Sequence, residues 1–75
     1  MDKIVEKKVG ENVRRLRERA GFTQEMLAAK LQVEGLDITR SALAKIEVGQ
    51  RHLYPDEIII LKRILKSTYE EIFDI

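Results

Sequence analysis

There is no cysteine in this sequence, which excludes disulfides and thiolate metal sites and agrees with a reducing compartment. The single histidine, His52, cannot build a histidine-based metal cluster or a Cys–His pair within one chain. Four glycines, scattered singly, form no loop that cradles phosphate. No metal and no cofactor are expected. Long apolar runs are also missing: none approaches the roughly 18 residues that span a bilayer, and the opening MDKIVEKK lacks the apolar stretch of a signal peptide. These absences predict a cytoplasmic protein with no membrane partner. What is present, 44% hydrophobic and 36% charged residues, fits a folded globular chain rather than a disordered tail. A length of 75 residues predicts a single domain over residues 1–75, one that buries only about 60–65% of its unfolded surface. No second domain is then expected to sense a small molecule.

The apolar residues follow a helical period. Val5, Val9, Val13, Leu16 and Ala20 recur at spacings of three and four, so a first helix is expected over about 3–20, ending at Gly21. Gly10 inside it costs a modest amount of helix propensity. Thr23 reads as the N-cap of a second helix over 23–33, with Phe22 stapling onto Leu27 and an inner stripe of Leu27, Ala28 and Leu31. QVEGLDI, holding Gly35 and Asp37, reads as the connection. Thr39 caps a third helix over 39–48, which Gly49 is placed to end. Pro55 opens a fourth over 55–66, with Asp56 and Glu57 in its first turn and Leu53 stapling to Ile58. Ser67 and Glu70 have the spacing of a capping box for a last helix over 68–73 that carries Ile72 and Phe73. The expected fold class is all-α, with five helices and no strand.

Net charge is only +1, but the charge is unevenly distributed. From Lys7 to Arg19 six basic residues face two acids, and from Thr39 to Tyr54 Arg40, Lys45, Arg51 and His52 face Glu47 alone. The segment from Pro55 onward carries five acids against three bases. A solvated helix surface explains such a pattern, and so does a surface held for an anionic partner.

The third helix sharpens the choice. At about 100° per residue, Ala42, Leu43 and Ile46 fall on one face and Arg40, Ser41, Ala44 and Lys45 on the other. The other late helices begin with acid, as the macrodipole favours, whereas this one places Arg40 just after its cap. Arg40 and Lys45 suit guanine edges or phosphates, and Ser41 and Ala44 are small enough for close approach. The pattern suits the major groove of DNA.

Taken together, VGENVRRLRERAGFTQEMLAAKL and ITRSALAKIEVGQR resemble the lambda-repressor-like helix-turn-helix family of Cro and Xre-type transcriptional regulators. The resemblance runs from about Val9 to Phe73. It rests on Leu16-Arg17, Gly21-Phe22-Thr23-Gln24, Leu27-Ala28 with Leu31, and Ile46-Glu47 with Gly49 and Arg51. It implies a compact five-helix DNA-binding domain whose second helix crosses the DNA backbone while the third lies in the major groove. Base contacts would come from Arg40, Ser41, Ala44 and Lys45. Phosphate contacts would come from Thr23 and Gln24, at a helix N-terminus that favours anions, and from Arg51 and His52 after the third helix. Arg17 and Glu47 match a structural ion pair between the first and third helices, and Ala28 a small residue where the second and third cross. The sequence departs from the family pattern in a turn at 32–38 that is about five residues longer than usual. It also has Val48 where Asn is frequent, Leu53 for a common Pro, and Met26 for a common acid.

Such regulators usually dimerise on pseudo-palindromic operators with half-sites about one helical turn apart. EIIILKRIL carries more apolar residues than one face needs, so Ile59 and Ile60, with Tyr69, Phe73 and Ile75, are expected at a homodimer interface. No catalytic role is expected, because Asp56-Glu57 and Glu70-Glu71 sit where helix N-termini want acid. The reading is a sequence-specific double-stranded DNA-binding regulator, such as a phage-type repressor, a restriction-modification controller or an antitoxin. The alternative is a protein-interaction module, such as an antitoxin whose main role is to bind a partner protein.

Overall fold

A computed structural model describes residues 2–75, and over them the chain forms α1 (Lys3–Arg19), α2 (Gln24–Val33), α3 (Arg40–Glu47), α4 (Pro55–Ile64) and α5 (Tyr69–Ile72), with no strand among the described residues. Each start has a local cause. The Asp2 carboxylate accepts from the Ile4 and Val5 N–H groups, the Thr23 hydroxyl oxygen from Met26 at 3.1 Å, and that of Thr39 from Ala42 at 3.1 Å. Pro55 occupies the first turn of α4, where its missing N–H costs nothing. The cap of α5 lies one residue beyond the Ser67–Glu70 box expected from sequence. Thr68 and Glu71 form the reciprocal pair instead, at 3.1 and 3.0 Å. Ser67 is already used by the preceding turn, where its N–H donates to the Lys62 carbonyl at 3.1 Å.

The ends of α1, α2, α3 and α4 share one device. A residue with positive φ follows the cap, and the two N–H groups beyond the cap turn back onto carbonyls of the last turn. Glycine fills that position three times, whereas after α4 it is Lys66, at φ 51°. In the long connection between α2 and α3, this device brings Leu36 back onto the Leu31 carbonyl at 3.1 Å. Gln32 then donates its side-chain N–H to the Ile38 carbonyl at 3.0 Å, and Ile38 is completely buried. The extra residues are therefore folded onto the core rather than forming a plain connection.

Every helix and the Ile38 segment feed one aliphatic core: Val9, Val13, Leu16, Leu27, Leu31, Ile38, Leu43, Ile46, Leu53, Ile58, Leu61, Leu65 and Ile72. Burying side chains of this size at about 1.5–3 kcal/mol each is the main favourable contribution to folding. Ala28, only 3% exposed, lies on the buried side of α2. Packing joins α3 to both α1 and α2, α5 to α1, and α4 to α2.

The α1–α3 crossing depends on Gly10. A Cβ there would lie 2.2 Å from the Ile46 carbonyl oxygen, so its role is close approach, not the small propensity defect seen from sequence. Asn12, two residues on and buried, donates its side-chain N–H groups to the Ile72 and Asp74 carbonyls, each at 2.9 Å. It ties α5 and the segment after it to α1.

Candidate nucleic-acid interface

On α3, Leu43, Ile46 and Glu47 are buried, Ala42 and Ala44 are half-buried, and Arg40, Ser41 and Lys45 are exposed. Three of the four residues expected at base edges thus stand in solvent, with Ala44 at the margin. Of the five helices, α3 alone has no acid in its first turn, so its positive dipole end is uncompensated from within. Neither Arg40 nor Lys45 has an acidic partner among the described residues.

The back of the same helix is fully committed. Arg17 Nε donates to Glu47 Oε2 at 2.7 Å and Nη2 to Oε1 at 3.1 Å, while Nη1 donates to the Phe22 carbonyl at 2.8 Å. The Arg17 side chain is 10% exposed and that of Glu47 2%. Hydrogen bonding to Glu47 outweighs burial and holds the guanidinium above its ordinary pKa. Gln24 completes this cluster, its carboxamide N–H donating to Glu47 Oε1 at 3.1 Å. The half-buried Gln24 side chain thus contacts the clamp. What the start of α2 offers outward is the Thr23 hydroxyl proton, its oxygen already accepting from Met26, and the first-turn backbone N–H groups.

Thr23, Gln24 and Arg40 come together with Arg14, Arg17 and Glu25 around an open cleft of about 630 Å³ at the N-terminal ends of α2 and α3. Arg17 is held by Glu47 and Arg14 lies 3.8 Å from Glu18, so among the cleft's described residues Arg40 is the arginine without an acidic partner, and two helix N-termini lie nearby. Arg14 was missed as a site residue in the sequence. Its only signal was membership of the basic run from Lys7 to Arg19, because nothing local distinguishes an arginine that overlooks a cleft made by two later helices.

Arg51 and His52 lie elsewhere, in the loop after α3, and each contacts an acid. Arg51 donates to both Glu57 oxygens at 3.0 Å and to the His52 carbonyl at 2.8 Å. Burial pushes the Glu57 carboxyl up, but hydrogen bonds from Arg51 and from the Tyr54 N–H outweigh it and leave the group below its usual value. His52 Nδ1 meets the buried carboxylate of Glu6. The expected phosphate-contacting loop is therefore braced by two acids, one from α4 and one from α1.

Of the residues expected at a homodimer interface, Ile59, Tyr69, Phe73 and Ile75 are exposed. Ile60 differs: it is half-buried and packs against the core. No described helix is long and apolar enough to cross a membrane.

Among known proteins, the family model described as Helix-turn-helix matches residues 13–72, about four-fifths of the chain. The match takes in α2, α3, α4 and α5 and leaves the first half of α1 outside. Neither a curated protein nor a solved structure gives a significant match.

Proposed function

We propose that this chain, which belongs to the lambda-repressor-like (Cro/C1-type) helix-turn-helix family, is a small transcriptional regulator that lays α3 in the major groove of a specific operator. DNA binding in transcription regulation is the function class that membership carries. The finer reading is that Arg40, Ser41 and Lys45 meet base edges, with Ala44 allowing close approach. The start of α2, with Thr23 and Arg14, holds a phosphate. The observation that carries this is the asymmetry of α3: its back is locked by Arg17, Glu47 and Gln24, while its front shows two cations without acidic partners.

A homodimer on a pseudo-palindrome completes the proposal, since one short helix contacts too few base pairs for useful discrimination. The exposed Ile59, Tyr69, Phe73 and Ile75 supply apolar surface for it. Arg51, being paired with Glu57, orders the loop more than it adds charge.

Selection from random duplexes, followed by affinity measurements across a salt series, tests the proposal. The expected result is a shared half-site repeated about one helical turn apart, bound with an affinity that falls steeply as salt rises. Recovery of no common sequence, with weak binding that ignores salt, would contradict it and favour a protein-binding role.

A further inference from the structure

Resting on that reading, we infer that Lys7 of α1 contacts a DNA phosphate beside the C-terminal end of α3, outside the helix-turn-helix itself. The fold brings these two segments into direct contact. A Cβ on Gly49 would lie 2.8 Å from the Lys7 Cα, and one on Gly10 would lie 2.2 Å from the Ile46 carbonyl oxygen, so α1 rests on the last turn of α3 through two glycines. Lys7 and Val48 line one shallow depression there, together with Arg14, Arg15 and the acids Glu11, Glu18 and Glu47.

The other cations at that end are already engaged: Arg14 lies 3.8 Å from Glu18, and Arg15 donates to the Asn12 side-chain oxygen at 3.0 Å. A helix C-terminus carries the negative end of the dipole, and the exposed Val48 side chain offers a phosphate no hydrogen bond. The next residues are tied to acids, Arg51 to Glu57 and His52 to Glu6. Lys7 is exposed and has no acidic partner among the described residues, whereas its neighbour Lys8 lies 4.0 Å from Glu11. The opposite end of α3 already has Arg40, unpaired among the described residues, at its cleft. The major groove is only about 12 Å wide, so cations flanking both ends of a helix within it reach the phosphates that bound it. Lys7 supplies the second flank.

The test is a titration of a duplex recovered by wild-type selection, at salt concentrations from about 50 to 200 mM. Lys7→Gln should lower the slope of log affinity against log salt by about 0.9. Lys7→Met should do the same with a different side chain, and Lys7→Arg should restore the wild-type slope. Lys8→Gln, in the same turn, should leave the slope unchanged. The ratio of selected to random affinity and the melting temperature should stay at wild-type values in all four variants. A steep wild-type slope that both Lys7→Gln and Lys7→Met reproduce would overturn this contact and leave the proposed function standing. A wild-type chain whose binding ignores salt would overturn both.

Discussion

Arg17 and Arg40 carry the same guanidinium on elements that touch, yet their surroundings are opposite. Behind α3, Arg17 is nine-tenths buried, with donors on both Glu47 oxygens and on the Phe22 carbonyl. In front of it, Arg40 stands exposed at a positive dipole end that Thr39 caps but no first-turn acid offsets. A buried charge is tolerable only when paired, so the first arrangement reads as structure. An exposed cation left without a partner, on a helix whose back is rigidly held, reads as a contact kept for something else. Among the described residues no buried side-chain nitrogen or oxygen lacks a hydrogen bond, so the unused donors are all at the surface.

That contrast can be broken most severely from behind. Glu47→Ala leaves Arg17 buried without its carboxylate and should cost about 3–5 kcal/mol, read as a large drop in melting temperature. A melting curve within a degree or so of wild type would show that the clamp is not what holds α3. Next comes Gly10→Ala, which gains helix propensity but drives a methyl into the Ile46 carbonyl. It should still destabilise by about 1–3 kcal/mol, checked by chemical denaturation.

The smallest effect is on the Arg51–Glu57 brace. Glu57 has a depressed folded pKa, so in the unfolded chain, near 4.5, it takes up its proton first as pH falls. Its stabilisation is therefore present above 4.5 and is lost as pH drops through the lower folded value. Glu57→Gln should cost about 1 kcal/mol at neutral pH and should show a shallower acid loss than wild type in melting curves taken below the usual carboxylate range.

The front of α3 was far more legible in the sequence than its back. Thr23, Thr39, Pro55 and the glycines after α1, α2 and α3 mark helix ends by local chemistry, so the observed bounds fall within two residues of those expected. The outward set Arg40, Ser41 and Lys45 follows from the helical period alone. The back is made by residues distant in sequence. Gly10 looks like a propensity defect until α3 is laid across it, and the Glu6–His52 and Arg51–Glu57 pairs depend on how the loop after α3 folds. Asn12 left a readable trace, a polar residue on the Val9–Val13–Leu16 stripe, though its partners at Ile72 and Asp74 did not. Ile38 was hidden because a lengthened turn has no period to read; its burial follows from the reversal at Gly35 and the bond from Gln32. Ser67 and Thr68 offer nearly the same capping pattern one residue apart, and only the end of α4 decides between them.

The central claim, that the outward face of α3 reads bases, is tested most directly with Arg40→Ala. Its affinity should be measured at fixed salt for the selected duplex and for a random one. The selected duplex should lose about 1–3 kcal/mol of binding while the random duplex loses much less, so that discrimination falls, with no change in melting temperature. An unaltered ratio between the two duplexes would contradict it.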